Sequence, residues 1–160
     1  MSTKRVQNTH ISKNIRALHG ALIDIVGVIN RPQGDEMMVR KAGISLERAL
    51  FPLLVLIERR GPIGVVELAD RVGRDYTTVS RQVAKLESLD LVERRAGAAD
   101  RRVREAIVTP KGKAMTDAVD RARERMGRII FAKWDQRDID DLVRLMRKFA
   151  DAVTGDAPAG

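Results

Sequence analysis

The residues best suited to chemistry in this chain are short hydroxyls and arginines set at helical spacing between Asp75 and Leu89. Asp75 suits the first position of a helix, where a carboxylate accepts from backbone N–H groups that have no intrahelical partner. Val79, Val83 and Leu86 then fall on one apolar stripe. With Val79 turned inward at about 100° per residue, Thr77, Arg81, Ala84 and Ser88 point outward, and Ser80 and Lys85 flank them. Such a face suits duplex DNA. Arg81 can fork onto guanine O6 and N7, and Thr77 can donate to a base edge or touch a thymine methyl. Thr78 and Ser80 can donate to phosphate oxygens, where the helix N-terminus also favours negative charge. An ordinary solvated polar face describes this helix equally well on its own.

The next segment adds weight to the DNA reading. The eleven residues from Arg94 to Arg104 hold five Arg and one Asp. A two-stranded ribbon tipped with Arg101 and Arg102 can reach a minor groove, whose negative potential is deepest in narrow A·T tracts. Asp100 makes a poor phosphate ligand, and its expected task is to hold a neighbouring guanidinium in fixed geometry. A solubilising charged hairpin is the bland alternative. A polar cationic helix followed at once by a basic ribbon is a stronger signal than either part.

The surrounding elements must position these residues. Ile11, Ile15, Leu18, Leu22, Ile25 and Ile29 form a heptad stripe on a long first helix, broken at Asn30–Gly34 by Pro32 and Gly34. Ser45 is the expected cap of a helix carrying Leu46, Ala49, Leu50, Leu53, Leu54 and Ile57, with Pro52 kinking it or shifting its start. Val66, Leu68, Ala69 and Val72 predict a short helix stopped near Gly73. Leu91-Val92 and Val103 to Val108 read as strands around a turn at Gly97–Asp100. Thr109 caps a helix with Pro110 at its first position, bearing Met115, Val119, Ala122, Met126 and Ile129. Asp135 caps the last helix, which bears Ile139, Leu142, Met146, Phe149 and Val153. The expected fold is mainly α with a small two- or three-stranded antiparallel wing (α+β), a winged helix-turn-helix flanked by long helices. The expected division is 1–44 and 113–154 for dimerisation, 45–112 for DNA binding, and 155–160 as a flexible tail.

One family combines these features. Glu67-Leu68-Ala69-Asp70-Arg71-Val72-Gly73, Thr77-Thr78-Val79-Ser80-Arg81 and Leu86-Glu87-Ser88-Leu89-Asp90-Leu91-Val92-Glu93-Arg94 resemble the MarR family of bacterial transcription regulators. The resemblance continues through Asp100-Arg101-Arg102, similar to that family's Asp-x-Arg wing, and Val108-Thr109-Pro110-Lys111-Gly112, similar to its Leu-Thr-x-x-Gly close. It is specific from about Leu46 to Gly112; the flanking helices match in length and placement. Asp90 departs from the family's usual Gly, which requires the helix end to accept a non-glycine residue, in the αL region. Val108 replaces the usual Leu. The resemblance implies a winged-helix homodimer that binds a pseudo-palindromic operator, often as a repressor released by a small ligand. It assigns base and phosphate contacts to Thr77, Thr78, Ser80 and Arg81, and minor-groove contact to Arg102 with support from Asp100.

Dimerisation also follows from the stripes. The first spans roughly 28 Å at 1.5 Å per residue, longer than a winged-helix core can cover. Two-fold pairing would set two recognition helices one DNA turn apart, about 34 Å. A bundle of the three long helices within one chain is the alternative.

Other signals are weak. His10 and His19 are expected as surface or satisfied histidines, not as ligands for a metal or an effector, and Asp24 as a helix-face carboxylate paired with a cation in preference to a pocket-lining group. Met37 and Met38 suit packing or an adaptable effector cavity equally. Tyr76 fits either a phosphate contact or the core, and Trp134 reads as a packing anchor. No Gly-rich phosphate loop, paired-carboxylate motif or Ser/His/Asp arrangement is present in the sequence, which argues against an enzyme.

The composition agrees. Hydrophobic content of 44% with 32% charged residues is that of a folded chain, and the net charge of +8 points to a polyanion. No apolar run approaches the roughly 18–20 residues of a membrane span. With no Cys, disulfides and thiolate metal sites are excluded, and a reducing cytoplasm is the expected compartment. Double-stranded DNA, a second copy of the chain and a small effector of unidentified chemistry are the expected partners, with no cofactor. Two rival functions share the same features: a winged-helix protein-interaction module, and a non-specific architectural DNA binder.

Overall fold

The structure, a computed structural model, describes residues 2–31, 40 and 46–156, with side chains in the first helix from His10 onward. The described elements are α1 (Ser2–Ile29), α2 (Phe51–Arg60), β1 (Ile63–Gly64), α3 (Val65–Val72), α4 (Tyr76–Ser88), β2 (Val92–Ala96), β3 (Arg104–Val108), α5 (Pro110–Ile130) and α6 (Gln136–Thr154). The chain forms two compact units, Met1–Asp120 and Arg121–Gly160. This is the winged helix-turn-helix expected from the sequence.

In the first unit, α2, α3 and α4 pack on the sheet. Their apolar stripes meet in one core of Leu50, Leu53, Leu54, Ile57, Leu68, Ala69, Val79, Val83 and Leu86, closed from the sheet by Ile63, Val92 and Ala106. Each large aliphatic side chain fully buried here contributes about 1.5–3 kcal/mol. The sheet is antiparallel in the order β1-β3-β2. β2 and β3 pair over their full length, from Val92 opposite Val108 to Ala96 opposite Arg104. β1 has two residues, with Ile63 opposite Ala106 and Gly64 opposite Glu105. No local period betrays so short a strand, since only pairing with β3 defines it.

The helix containing Leu53, Leu54 and Ile57 begins at Phe51, with Pro52 in its first turn. Leu46, Ala49 and Leu50 precede it. Pro52 therefore sets the start, because a proline lacking an N–H is harmless only in the first turn. The Ser45 cap, Met37, Met38 and residues 32–34 of the helix break lie outside the described residues. α1 ends at Ile29 as expected and extends back to Ser2.

The turn between α3 and α4 rests on Gly73, whose φ of 64° is the left-handed conformation that glycine adopts without Cβ strain. Arg74 N donates to Ala69 O at 3.1 Å and closes the helix end. α5 carries two ion pairs to α2: Lys113 to Glu58 at 3.5 Å, and Arg59 to Asp120 at 3.1 Å. Lys113 also pairs with Asp117, and that carboxylate beside it raises its pKa.

The second unit contains the end of α5 and α6. Asp135 Oδ1 accepts from Arg137 N at 3.1 Å, which is the expected cap of α6, and Gly155 ends the helix at φ 75°. The Phe131 and Trp134 rings meet edge to face at 5.1 Å. Trp134 thus packs on Phe131 at the junction before α6, while 46% of it stays exposed. Residues 157–160 of the expected tail lie outside the described residues.

Candidate nucleic-acid interface

Asp75 builds the start of α4. Its Oδ1 accepts from Thr78 N at 2.8 Å and its Oδ2 from the Thr78 hydroxyl at 2.6 Å. The side-chain bond from Thr78, joined by the backbone one, lowers the Asp75 pKa below the usual carboxylate range. The stabilisation this cap gives is complete above that range and is lost as pH falls through the depressed folded-state value. Thr78 sits differently from its expected role, because its hydroxyl proton is engaged by Asp75. Thr77, Arg81 and Lys85 are exposed, while Val79, Val83 and Leu86 are buried, so the helix has the outward face its sequence predicts. Ser80 is half-buried on the flank. The side chains of Arg81 and Lys85 make no hydrogen bond or ion pair among the described residues.

α4 is tied down from three sides. Arg74 in the turn donates from Nη1 to Gln82 Oε1 at 3.0 Å and to Ala49 O at 2.8 Å. Arg94 on β2 lies 3.3 Å from Glu87 Oε2 and donates from Nη2 to Ser80 O at 3.4 Å. At the far end, Lys111 Nζ donates to Leu89 O at 2.9 Å. Asp90, immediately after, adopts φ 59°, the αL conformation required where the family's usual glycine is missing.

The wing divides its arginines. Arg94 turns inward to α4, and Arg95 pairs with Glu93. Arg101, Arg102 and Arg104 are exposed and have no side-chain partner among the described residues. The role expected of Asp100 is corrected. Its Oδ1 accepts from the backbone N–H of Arg102 at 3.0 Å and holds no guanidinium. A short Asx side chain reaches the N–H two residues on, and this closes a turn. Val103 N donates to Asp100 O at 3.1 Å in the same turn, so Asp100 shapes the tip that presents Arg101 and Arg102.

A groove of about 620 Å³ separates the start of α4 from the wing. Tyr76, Val66, Arg102, Val103 and Arg104 line it, facing Glu67 and Asp70 of α3. Tyr76 is 57% exposed, which decides between its two expected places in favour of the surface. Arg104 was legible only as part of the arginine count; it shares a face of β3 with buried Ala106 and is exposed because it lies at the wing end of the strand, opposite Ala96. His10 and His19 are exposed, and Asp24 lacks its expected cation among the described residues.

A basic, rigidly capped helix beside an arginine-tipped wing defines a winged-helix DNA reader, and known proteins agree. The chain is 30% identical over 104 residues to the uncharacterized HTH-type transcriptional regulator YxaD of Bacillus subtilis (strain 168), covering 65% of this chain and 73% of that protein. A family model described as HVO_A0114 matches residues 46–107. Among solved structures, a MarR family protein from Bacillus stearothermophilus superposes with a TM-score of 0.71 at 20% identity, covering 89% of this chain and 97% of that one. MarR itself gives 0.67 at 23% identity, covering 86% and 90%. A putative MarR family regulator from Listeria monocytogenes, solved with a 26mer DNA, gives 0.66 at 22% identity, covering 84% and 89%. The chain belongs to the HTH-type transcriptional regulators, with the MarR fold. It is a DNA-binding regulator, and its relatives are regulators, not enzymes. Among the described residues, no helix is long and apolar enough to cross a membrane.

Proposed function

We propose that this protein is a sequence-specific repressor that binds a pseudo-palindromic operator as a homodimer, without a cofactor, in the cytoplasm, and is released by a small-molecule effector. Residues 45–112 read DNA, and 1–44 with 113–154 hold the dimer. The observation that carries the proposal is Arg81, exposed and without a partner among the described residues, on a helix fixed by Asp75, Arg74 and Arg94. A cation held on a rigid helix with its donors free is suited to base edges, where geometry must be met closely. Thr77, Arg81 and Lys85 face the major groove with Ser80 on the flank, and Thr78 acts through the cap. Arg101 and Arg102 enter the minor groove from a tip shaped by Asp100. The DNA complex of the Listeria relative supports the same use of this fold.

Mobility shift on the protein's own upstream region, with random DNA as competitor, tests the reading. A shift that survives random competitor is expected. Equal competition by random DNA would instead establish the architectural binder, and no shift at all the protein-interaction module. Repeating the shift with small organic acids and phenols tests release by an effector.

A further inference from the structure

The motif Val108-Thr109-Pro110-Lys111-Gly112 includes none of the proposed DNA contacts, yet it is bound closely to the end of the recognition helix. A helix end leaves carbonyl oxygens without intrahelical donors. Here, the N–H groups of Leu89, Asp90 and Leu91 meet carbonyls of the last turn of α4, and the segment starting α5 holds the carbonyls of those same three residues. Lys111 Nζ donates to Leu89 O at 2.9 Å, the Thr109 hydroxyl to Asp90 O at 2.5 Å, and Thr109 N to Leu91 O at 3.1 Å. The same Thr109 oxygen accepts from Gly112 N at 3.0 Å and so caps α5. Gly112 lies so near that a Cβ there would stand 2.1 Å from Leu91 O, which only glycine allows. The end of α4 and the start of α5 are thus one hydrogen-bonded block, with the Lys111 ammonium at the negative end of the α4 dipole.

We infer that this block is a positioning device for base reading: Lys111 fixes the C-terminal end of α4, and with it the angle at which Arg81 and Lys85 enter the groove, without touching DNA itself. The inference rests on the proposed use of α4 as the operator reader. Its physical basis is the difference between the two kinds of DNA contact. A bidentate base contact needs close geometry, whereas attraction to phosphate tolerates a small tilt. Loosening the block therefore lowers operator affinity selectively.

The test uses the full-length chain with Lys111→Met, which removes the donor and charge but keeps the length of the side chain. Fluorescence anisotropy is read on the shifted upstream fragment and on random duplex over a range of salt. The ratio of operator to random affinity is expected to fall about threefold to tenfold. Affinity for random DNA and both salt slopes should stay at wild-type values, and Lys111→Arg should restore the ratio. A salt slope reduced by about one would make Lys111 a phosphate contact and overturn the inference. An unchanged ratio, with or without a lower Tm, would reduce the block to a stabilising role and overturn it equally. A wild-type chain with no operator preference would remove the proposed function first, and this inference with it.

Discussion

In the proposed function, Arg81 is the residue that would separate discrimination from affinity. Its neighbours along the helix, Val79 and Val83, are buried, so its direction is set by the core and not by its own flexible stem. Arg81→Ala is expected to cost about 1–3 kcal/mol on the operator and much less on random DNA. Equal losses on both, measured by competition, would reassign Arg81 to phosphate binding. Asp90 carries a different kind of information. Its φ of 59° places a Cβ where L-residues are strained, and Leu91 N donates to Leu86 O at 3.0 Å across the same turn. Asp90→Gly relieves that strain against a gain of freedom in the unfolded chain. The expected net result is a stabilisation of up to about 1 kcal/mol with unchanged DNA binding, read by denaturant unfolding. A loss of stability would show that the strain at Asp90 is smaller than the cost of the freedom glycine gains in the unfolded chain.

At the scale of elements, the wing sorts its charges. Arg94 packs against α4 and Arg95 against Glu93, which leaves Arg101, Arg102 and Arg104 exposed. Arg102→Ala is expected to weaken operator and random DNA alike and to flatten the salt dependence by about one counterion. An unchanged slope in a salt series would take the wing tip out of the interface. The same wing shows which parts of the molecule were legible in the sequence. Caps were readable because Asp75, Thr109 and Asp135 act on backbone groups two or three residues away, a distance that sequence spacing contains. The core face of α4 was readable from its period. The sorting of the five arginines was not, because it depends on Arg94 meeting Glu87 across two elements. Nor was the partner of Asp100, where a backbone N–H and a guanidinium two residues on are equally near in sequence. β1 was hidden for the same reason, since its two residues become a strand only against Ala106 and Glu105.

At the scale of the whole molecule, the long helices pose the remaining physical problem. On α1, Ile11, Ile15, Leu18, Ile25 and Ile29 are exposed along one stripe, and on α6 so are Leu142, Met146 and Val153. Leaving such stripes in water forfeits about 25 cal/mol for every Å² of apolar surface, and a heptad pattern is the arrangement that a facing helix covers. The net charge of +8 opposes association only weakly at physiological salt, where the Debye length is about 8 Å. Both stripes are therefore expected to be covered by a second copy of the chain. Sedimentation or light scattering should give a dimer for the wild type and a monomer of unchanged helicity for Ile15→Glu combined with Met146→Glu. Pairing would also set the strength of DNA binding in the proposed homodimer, because once one recognition helix docked, the other would meet its half-site at high effective concentration. The monomeric variant should thus lose about a hundredfold or more on a two-half-site operator, while its affinity for a single half-site stays that of one winged helix. A dimer that persists in the double variant would place the association surface elsewhere on the chain. A monomer that kept full operator affinity would show that one recognition helix and one wing supply all the reading.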